Sequence, residues 1–408
     1  MSRDLPLLID EPVDGFDVAD LFLSRTDARG VILSGNSTFQ RLSGYSWAEL
    51  INAPHKIIRH PDMPKAAFRL VWNMLGAGQS CGAYVKNRAK CGRYYWVFAA
   101  LVPVEGGYLS VRLKPQTEHF ETVKSLYKSV LEAERQGGAI EDGVAMIEDA
   151  VRSLGFRNYT AFMGFALGAE LKARCRSLGR EIDPSAEQFE EMGNHLVEIA
   201  DVVAHITEQF DGMKNSPKNL IILGSRLTKG REPMQVVAKN YETLSAELMV
   251  LLQGLAEGLN SLMTRAFVGR MGHCASLLYD EAIRDYAENE PHRQTRGHAD
   301  ELTVLKAALA GFQGEANQGC RQIAREADRF LALNIRLKNM LSGLALTRVI
   351  CRIETASLTE DTDSIDEITT RLEVFQEELG RSLDQVADAC DALKKSVPSQ
   401  TDITAQAS

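Results

Sequence analysis

The sequence predicts an α+β domain of five antiparallel strands with short helices, followed by a long all-α region of helical bundle or coiled coil. Between residues 21 and 115, short β-branched and aromatic runs alternate with turn residues. Beyond Pro115 no strand-like alternation remains, and apolar residues recur every three or four positions instead. The 408 residues also exceed the size at which a single hydrophobic core keeps growing, so we expect more than one domain.

Five runs of residues predict the strands of the first domain. "LFLSRTD" and "GVILSG" come first, a stretch with helical spacing follows, and "GAYVKNRAKCG", "RYYWVFAALVPV" and "GYLSVRL" come last. The last three runs are joined by the short glycine-containing turns "KCGR" and "EGG", so we expect antiparallel hairpins. Two strands, several short helices and three more strands make an α+β domain.

Heptad-like seams follow in the second part of the chain and predict long packed helices. They run from Phe189 to Phe210, from Met234 to Leu262 and from Ile365 to Leu393. We therefore divide the chain into an N-terminal extension (1–20), the α+β domain (21–115), a helical connector (116–185), two helical hairpins (186–270 and 271–396) and a tail expected to be disordered (397–408).

Composition excludes several classes of function. The net charge of -9 argues against binding nucleic acid or an anionic membrane through bulk charge. The N-terminus lacks the features of a signal peptide, and the most apolar stretch, "YTAFMGFALGAEL", is shorter than the roughly 20 residues that a membrane span needs. We expect a cytoplasmic protein in which this stretch is a buried helix.

Seven scattered cysteines without a CxxC pair predict neither a disulfide framework nor a zinc site.

Two motifs carry a resemblance to a known family. "RHPDMPKAAF" and "VKNRAKCGRYYWV" occur in this order, with "NSTFQRLSGYSWAEL" before them and "GYLSVR" after them. Residues 21–112 resemble the PAS domain of the aerotaxis-receptor family, in which such domains hold FAD. The resemblance covers about a quarter of the chain and implies a PAS fold, FAD as cofactor and a role in sensing redox state or oxygen.

The resemblance also implies a set of cofactor-binding residues. Matched by position, the flavin-associated residues of the family fall on Asn36, Arg59, His60, Asp62, Phe68, Trp72 and Asn87. Phe68 and Trp72 lie four residues apart on one side of a helix and would offer an apolar face to the ring. Arg59 and His60 would hold the anionic part of the ligand, and Asp62 would cap the helix that begins near Pro64.

Asn87 has a further expected role, because its amide could reach the N5 edge of the flavin. An amide can donate to the oxidised nitrogen and, after flipping, accept from the reduced N–H. A change of redox state would then become a rearrangement of hydrogen bonds on the sheet. The chain departs from the family at Cys81, where the family has a tryptophan, and at "KCGR" in place of "KNGD". Loss of the indole would weaken flavin binding or shift its redox potential.

Other ligands and activities fit the sequence less well. A light-sensing domain of the LOV type needs a reactive cysteine within "HKIIRHPD", which contains none, and a haem would depend on His55 or His60 alone. The sequence contains no phosphate-binding loop or dinucleotide fingerprint, and its eight histidines suggest no catalytic triad or metal site. We expect that the protein is not an enzyme.

Three functions stay open at this stage. The first is a redox or oxygen sensor in which FAD alters the PAS domain and the helices relay the change to signalling proteins. The second is a ligand-free scaffold in which the PAS domain supports a homodimer and the helices bind partners. The third is a methyl-accepting role with a chemotaxis kinase or coupling protein as partner, because residues 219–248 faintly resemble a chemotaxis-receptor hairpin.

Overall fold

The computed structural model describes residues 8–213, 215–226, 231–289, 296–356 and 363–398. The chain forms two compact units. Within the described residues the first unit contains 8–190, 267–319 and 398, and the second contains 191–266 and 320–397. Each unit is therefore built from separate stretches of the sequence.

A five-stranded antiparallel sheet forms the centre of the first unit. Its strands are β1 (Phe22–Asp27), β2 (Ile32–Gly35), β3 (Cys81–Arg88), β4 (Tyr94–Val104) and β5 (Gly107–Leu113). They are arranged in the order β2-β1-β5-β4-β3. The predicted α+β fold class is thus confirmed, and the last three strands form the expected pair of hairpins.

Short helices connect β2 to β3. They are α1 (Ser37–Ser43), α2 (Trp47–Leu50), a short 3-10 helix (His55–Ile58) and α3 (Lys65–Gly76). Helix α1 begins after Asn36, whose side chain accepts a hydrogen bond from the backbone N–H of Phe39. It ends at Gly44, where a φ of 70° requires the conformational freedom of glycine.

The strand register divides the sheet into two faces, because paired residues of antiparallel strands point to the same side. The inner face, covered by α1, the 3-10 helix and α3, carries Ser24 opposite Ser110 and Asn87 opposite Tyr95. The outer face carries Tyr84 and other large apolar residues, which pack in one core with residues of later helices.

Eight helices follow in the described part of the chain, and no strand occurs there after β5. They are α4 (Glu118–Arg135), α5 (Ile140–Ser153), α6 (Tyr159–Ser177), α7 (Pro184–Met213), α8 (Ser216–Arg226), α9 (Arg231–Asn289), α10 (Arg296–Ala356) and α11 (Asp363–Ser396). Helices α4 and α6 and part of α9 cover the outer face of the sheet. Tyr279 of α9, for example, donates a hydrogen bond to the backbone carbonyls of Ala100 and Leu109, at 3.3 and 3.2 Å.

The helical region is divided differently from the sequence-based expectation. The expected boundary between two hairpins at 270/271 lies inside α9, which runs unbroken for 59 residues. The expected boundaries at 115/116 and 185/186 lie inside the first unit. These differences arise because apolar periodicity identifies a helix without saying what its apolar side packs against. The residues expected to form a disordered tail lie, from 399 onward, outside the described residues.

The apolar stretch from Tyr159 to Leu171 is a buried helix, as the sequence predicted. It belongs to α6, where Phe162, Met163 and Leu167 are buried against the outer face of the sheet. Within the described residues, no helix combines the length and the apolar character that crossing a bilayer requires.

Candidate functional site

Polar side chains occupy the middle of the inner face of the sheet. Arg112 of β5 is buried and donates hydrogen bonds to the Ser24 hydroxyl at 2.8 Å and to Nε2 of His55 at 3.1 Å. Its guanidinium also lies 4.7 Å from the ring centre of Phe22. No carboxylate within the described residues forms an ion pair with Arg112, so this face holds a buried positive charge.

The electrostatics of this group follow from burial. Burial, reinforced by the charge of Arg112, lowers the pKa of His55 to about 3. His55 is therefore neutral near pH 7, and because a guanidinium can only donate, Nε2 accepts and the proton lies on Nδ1. Burial likewise lowers the pKa of Arg112 to about 10, so this side chain stays charged near pH 7.

Several buried polar atoms of the inner face have no hydrogen-bond partner within the described residues. They include Nδ2 of Asn87 and the hydroxyls of Ser110 and Tyr95. Such atoms are rare in folded proteins, because an unmet donor or acceptor costs about 1–3 kcal/mol. The unpaired amide and hydroxyl therefore need a partner that the described protein atoms do not supply.

The hydrophobic packing of the inner face is also divided. One cluster gathers Phe22, Phe39 and Ile58, and a separate small cluster gathers Val71 and Leu75 of α3 with Cys81 and Ala83 of β3. The face is further lined by small side chains, such as Ala83, which pairs with Ala99 in the strand register. The inner face thus combines small side chains with unpaired polar groups, which suits a flat ligand with a hydrogen-bonding edge.

The "RHPDMP" loop lies directly against β3. Arg59 pairs with Asn87 through an isolated antiparallel backbone bridge, and the N–H of His60 donates to the carbonyl of Lys86 at 3.3 Å. The Arg59 guanidinium stacks 3.8 Å above the ring centre of Phe68. Burial lowers the pKa of Arg59, and the charge of Glu134 acts in the opposite direction. The structure therefore brings Arg59 and Phe68 together and sets Arg59 beside Asn87.

His60, the second residue of this loop, is buried. Its Nδ1 accepts a hydrogen bond from the backbone N–H of Asp62 at 3.1 Å, and its ring meets that of Tyr94 edge-on. Burial, together with the charge of Lys86, lowers the pKa of His60 to about 4. The ring is neutral near pH 7 and acts here as an acceptor.

Asp62 does not cap α3, contrary to the expectation from the sequence. Its carboxylate pairs with Lys86 at 2.9 Å and with Arg135 of α4 at 3.3 Å. Burial raises the pKa of Asp62, but the hydrogen bond and charge of Lys86 outweigh it, so the pKa lies below its usual value. The cap comes instead from Glu134, whose carboxylate accepts from the backbone N–H groups of Lys65 and Ala66 at 2.9 and 2.8 Å.

Two other predicted residues make contacts elsewhere in the domain. The side chain of Asn36 is fully engaged with backbone groups, because it accepts from the N–H of Leu23 and of Phe39 and donates to the carbonyl of Leu21. Trp72 is 45% exposed and meets the ring of Tyr108 edge-on. The role of both residues in binding a cofactor stays a prediction.

Sequence reasoning missed the polar side of β5. Ser110 and Arg112 alternate with Leu109, Val111 and Leu113 in "GYLSVRL", and this period of two is the signal that could have identified them. No group of three or more potential metal ligands occurs in the part of the chain that the structure describes.

Comparison with known proteins agrees with the fold of the first domain. The family model described as the PAS fold matches residues 32–110. The chain is 43% identical over 129 residues to the aerotaxis receptor of Escherichia coli strain K12, a match that covers 30% of this chain and 25% of that protein. It is 26% identical over 180 residues to the nitrogen fixation regulatory protein of Klebsiella pneumoniae, covering 42% of this chain and 36% of that protein. The matches thus span a quarter to about a third of these relatives.

Two solved structures of light-oxygen-voltage domains are also similar. One, studied with a flavin analogue, is 20% identical and covers 26% of this chain and 83% of its own, with a TM-score of 0.23. The other, a fungal photoreceptor domain, is 22% identical and covers 28% and 85%, with a TM-score of 0.21. The match of residues 32–110 to the PAS fold model identifies the first domain of this chain as a PAS domain, and the match to the aerotaxis receptor confirms the resemblance found in the sequence.

Proposed function

We propose that the PAS domain holds a flavin, FAD, against the inner face of the sheet and that the protein is a redox sensor in signal transduction. The observation that carries this proposal is the buried Asn87 amide, whose Nδ2 has no partner within the described residues. The isoalloxazine edge offers acceptors for such a donor, and the unpaired Ser110 hydroxyl lies on the same face. A bound flavin would supply redox chemistry at this face.

The side chains of the inner face would each contribute a separate effect. Asn87 would donate to the ring edge, and its amide could reverse when the hydrogen-bonding character of that edge changes. Arg112 would favour a ligand that carries negative charge, because its own charge is buried and unpaired by a carboxylate. Arg59 would be suited to the pyrophosphate of FAD, since a guanidinium binds phosphate oxygens in pairs.

The same loop offers a route from the ligand to the helices. Glu134 and Arg135 lie in the last turn of α4 and contact the start of α3 and Asp62. A shift of the Arg59 loop would therefore alter the contacts of α4 directly. We propose that this change passes to the helical region and from there to a signalling protein. A coupling of about 1 to 3 kcal/mol would be enough for such a switch.

The proposal includes neither catalysis nor a particular partner class beyond signalling proteins. A chemotaxis kinase or coupling protein is one candidate, in line with the aerotaxis receptor among the relatives. A homodimer is also proposed. Since the outer face of the sheet is covered by α4, α6 and α9, that face would not be its interface.

The decisive experiment is the absorption spectrum of the purified full chain, followed by chromatography of any cofactor released on denaturation. We expect a flavin band and release of FAD. Release of FMN would overturn the assignment of FAD and leave the flavin. A Soret band would indicate haem instead. A colourless protein that takes up no added FAD would leave the ligand-free scaffold as the function.

A further inference from the structure

A cavity lies in the helical part of the first unit, between α6, the start of α7 and α9. Its volume of about 740 Å³ falls within the roughly 300–1,000 Å³ that is usual for small-molecule sites. Its walls include Gly168 of α6, Glu187 of α7 and Arg270 of α9. None of the residues that line it belongs to the inner face of the sheet, so it is separate from the proposed flavin site.

Arg270 is the feature that points to a ligand. The side chain lines the cavity, is only 5% exposed, and forms no ion pair with a carboxylate of the described chain. Its Nε has no hydrogen-bond partner there, and the Cys274 thiol beside it is a weak acceptor. The guanidinium carbon lies 4.9 Å from the ring centre of Phe165. A buried cation without an ion-pair partner is costly, and a bound anionic group would reduce that cost.

Gly168 makes space for this guanidinium. A Cβ at Gly168 would lie 2.7 Å from Nη2 and 2.8 Å from Nε of Arg270, closer than real contacts allow. The absence of a side chain at this position of α6 therefore lets Arg270 lie where it does. The missing side chain on α6 thus leaves a recess that accommodates the guanidinium of Arg270 from α9.

The other cations of the cavity already have partners. Arg174 and Arg180 share the carboxylate of Glu281, at 2.5 and 2.7 Å, and Lys172 pairs with Glu190 at 3.1 Å. These ion pairs reduce the electrostatic attraction that Arg174, Arg180 and Lys172 would exert on a bound anion. Arg270 is left as the basic group best able to bind one.

The cavity also carries acidic groups without ion-pair partners. Glu187 and Glu288 line it at exposed positions, and neither carboxylate pairs with a basic residue of the described chain. An anion alone would be repelled by these carboxylates, and a cation alone would be repelled by Arg270. A ligand that carries both charges avoids both penalties.

We propose that this cavity binds a small zwitterion, a solute with one carboxylate and one ammonium group such as a free amino acid. The carboxylate pairs with the guanidinium of Arg270 in the interior, and the ammonium faces Glu187 and Glu288 at the rim. The proposal is independent of the flavin, because it rests on residues of α6, α7 and α9 alone.

Isothermal titration of the purified full chain tests this assignment, with the common amino acids added one at a time and with acetate and methylammonium as half-ligands. We expect at least one amino acid to bind saturably. Acetate and methylammonium should bind at least about tenfold more weakly, because each keeps only one charged contact. Binding of acetate as tight as that of the best amino acid, or no binding by any amino acid, would overturn the proposal.

Two variants test the role of Arg270. Arg270→Met keeps an unbranched, apolar side-chain stem but removes the guanidinium and its charge, and should weaken binding at least about tenfold. Gly168→Ala keeps the charge but pushes the guanidinium aside, so it tests the site even if Arg270→Met fails to fold. We expect this variant to bind several times more weakly. Arg176→Met, at an exposed position of α6 outside the cavity, is the matched control and should bind as the parent does. Equal affinity in the Arg270→Met variant and the parent would disprove the site.

Discussion

Glu134 caps α3 from a distance of 68 residues along the chain, because its carboxylate accepts a hydrogen bond from the backbone N–H of Ala66 at 2.8 Å. A second hydrogen bond comes from the N–H of Lys65 at 2.9 Å. The first N–H groups of a helix have no hydrogen-bond acceptor within the helix. Here Glu134, in the last turn of α4, supplies the acceptor oxygens. Helix α4, which follows the last strand of the PAS domain, thus stabilises the start of α3, which follows the "RHPDMP" loop.

Replacing Glu134 by alanine should loosen the start of α3. A lost helix cap costs about 1 kcal/mol, which corresponds to about fivefold faster local opening. Hydrogen exchange of the Lys65 and Ala66 amides, followed by mass spectrometry, measures this effect. Glu132→Ala is the control, because Glu132 lies on the same helix and its carboxylate bonds only to the side chain of Gln136 in the described structure. Unchanged exchange in the Glu134 variant would show that the cap does not act in solution.

Replacing Asn87 by alanine separates two interpretations of its unpaired amide. If a flavin binds at the inner face, the variant should retain at least about tenfold less of it, because a buried hydrogen bond to the ring is lost. The flavin-free variant should be as stable as the flavin-free parent or more so, because an unmet polar group has been removed.

Flavin content per mole of purified protein measures the first effect, and thermal unfolding of the flavin-free proteins measures the second. Asn73→Ala is the control, since Asn73 lies at an exposed position of α3. Flavin content equal to that of the parent in the Asn87 variant would remove Asn87 from the site.

The strands of the PAS domain could be predicted from the sequence because each is a local pattern. The period of two in "GYLSVRL" and the glycine turns on either side of β4 determine where strands begin and end. The prediction that Asp62 caps α3 was wrong. Asp62 lies two residues before Pro64, where a capping residue is commonly found, but the cap is contributed by Glu134 of α4. A sequence read locally cannot identify a partner that the tertiary fold brings from another helix.

Prediction of the helical region from the sequence was limited in the same way. Its apolar seams predicted helices correctly, but not that Tyr279, far along α9, would bond to the backbone of β4 and β5. The polar cluster of Arg112, Ser24 and His55 was also missed as a group. Each of its members lies on a different element: the strand register brings Ser24 and Arg112 to one face, and the 3-10 helix that covers this face adds His55.

Acidification should destabilise the first unit through His60. The pKa of the buried ring is about 4, below its value in an unfolded chain, so the unfolded state binds the proton more readily as the pH falls. Lys86 and Arg88 lower this pKa, whereas Asp62 and Asp10 raise it without reversing the effect of burial. The contribution of His60 is therefore complete above about pH 6.5 and is lost as the pH falls toward 4.

His60→Asn tests this dependence, because an asparagine oxygen can accept near the position of Nδ1 but does not titrate. We expect the free energy of unfolding of the parent to fall more steeply between pH 6.5 and 4 than that of the variant. The difference in slope should approach about 1.4 kcal/mol per pH unit at most. Urea titrations at several pH values measure it, and parallel curves would show that His60 does not titrate differently on folding.

Glu170 joins α6 to the end of the PAS domain and should be sensitive to replacement of its carboxyl group. It is fully buried and accepts from the Tyr84 hydroxyl at 2.9 Å, from the Thr117 hydroxyl at 2.6 Å and from the backbone N–H of Gln116 at 2.7 Å. In Glu170→Gln one acceptor oxygen becomes a donor, which leaves at least one of these groups unpaired. We expect unfolding to become easier by about 2 to 3 kcal/mol.

Tryptophan fluorescence during urea unfolding measures this loss in the correct unit, because all three tryptophans of the chain lie in the first unit. Tyr84→Phe removes a single donor and should cost about 1 kcal/mol. Glu141→Gln, at an exposed position of α5, should change little. If the Glu170 variant unfolded at the same urea concentration as the Glu141 control, the buried carboxylate would not be what holds α6 against the Tyr84 strand and the start of α4.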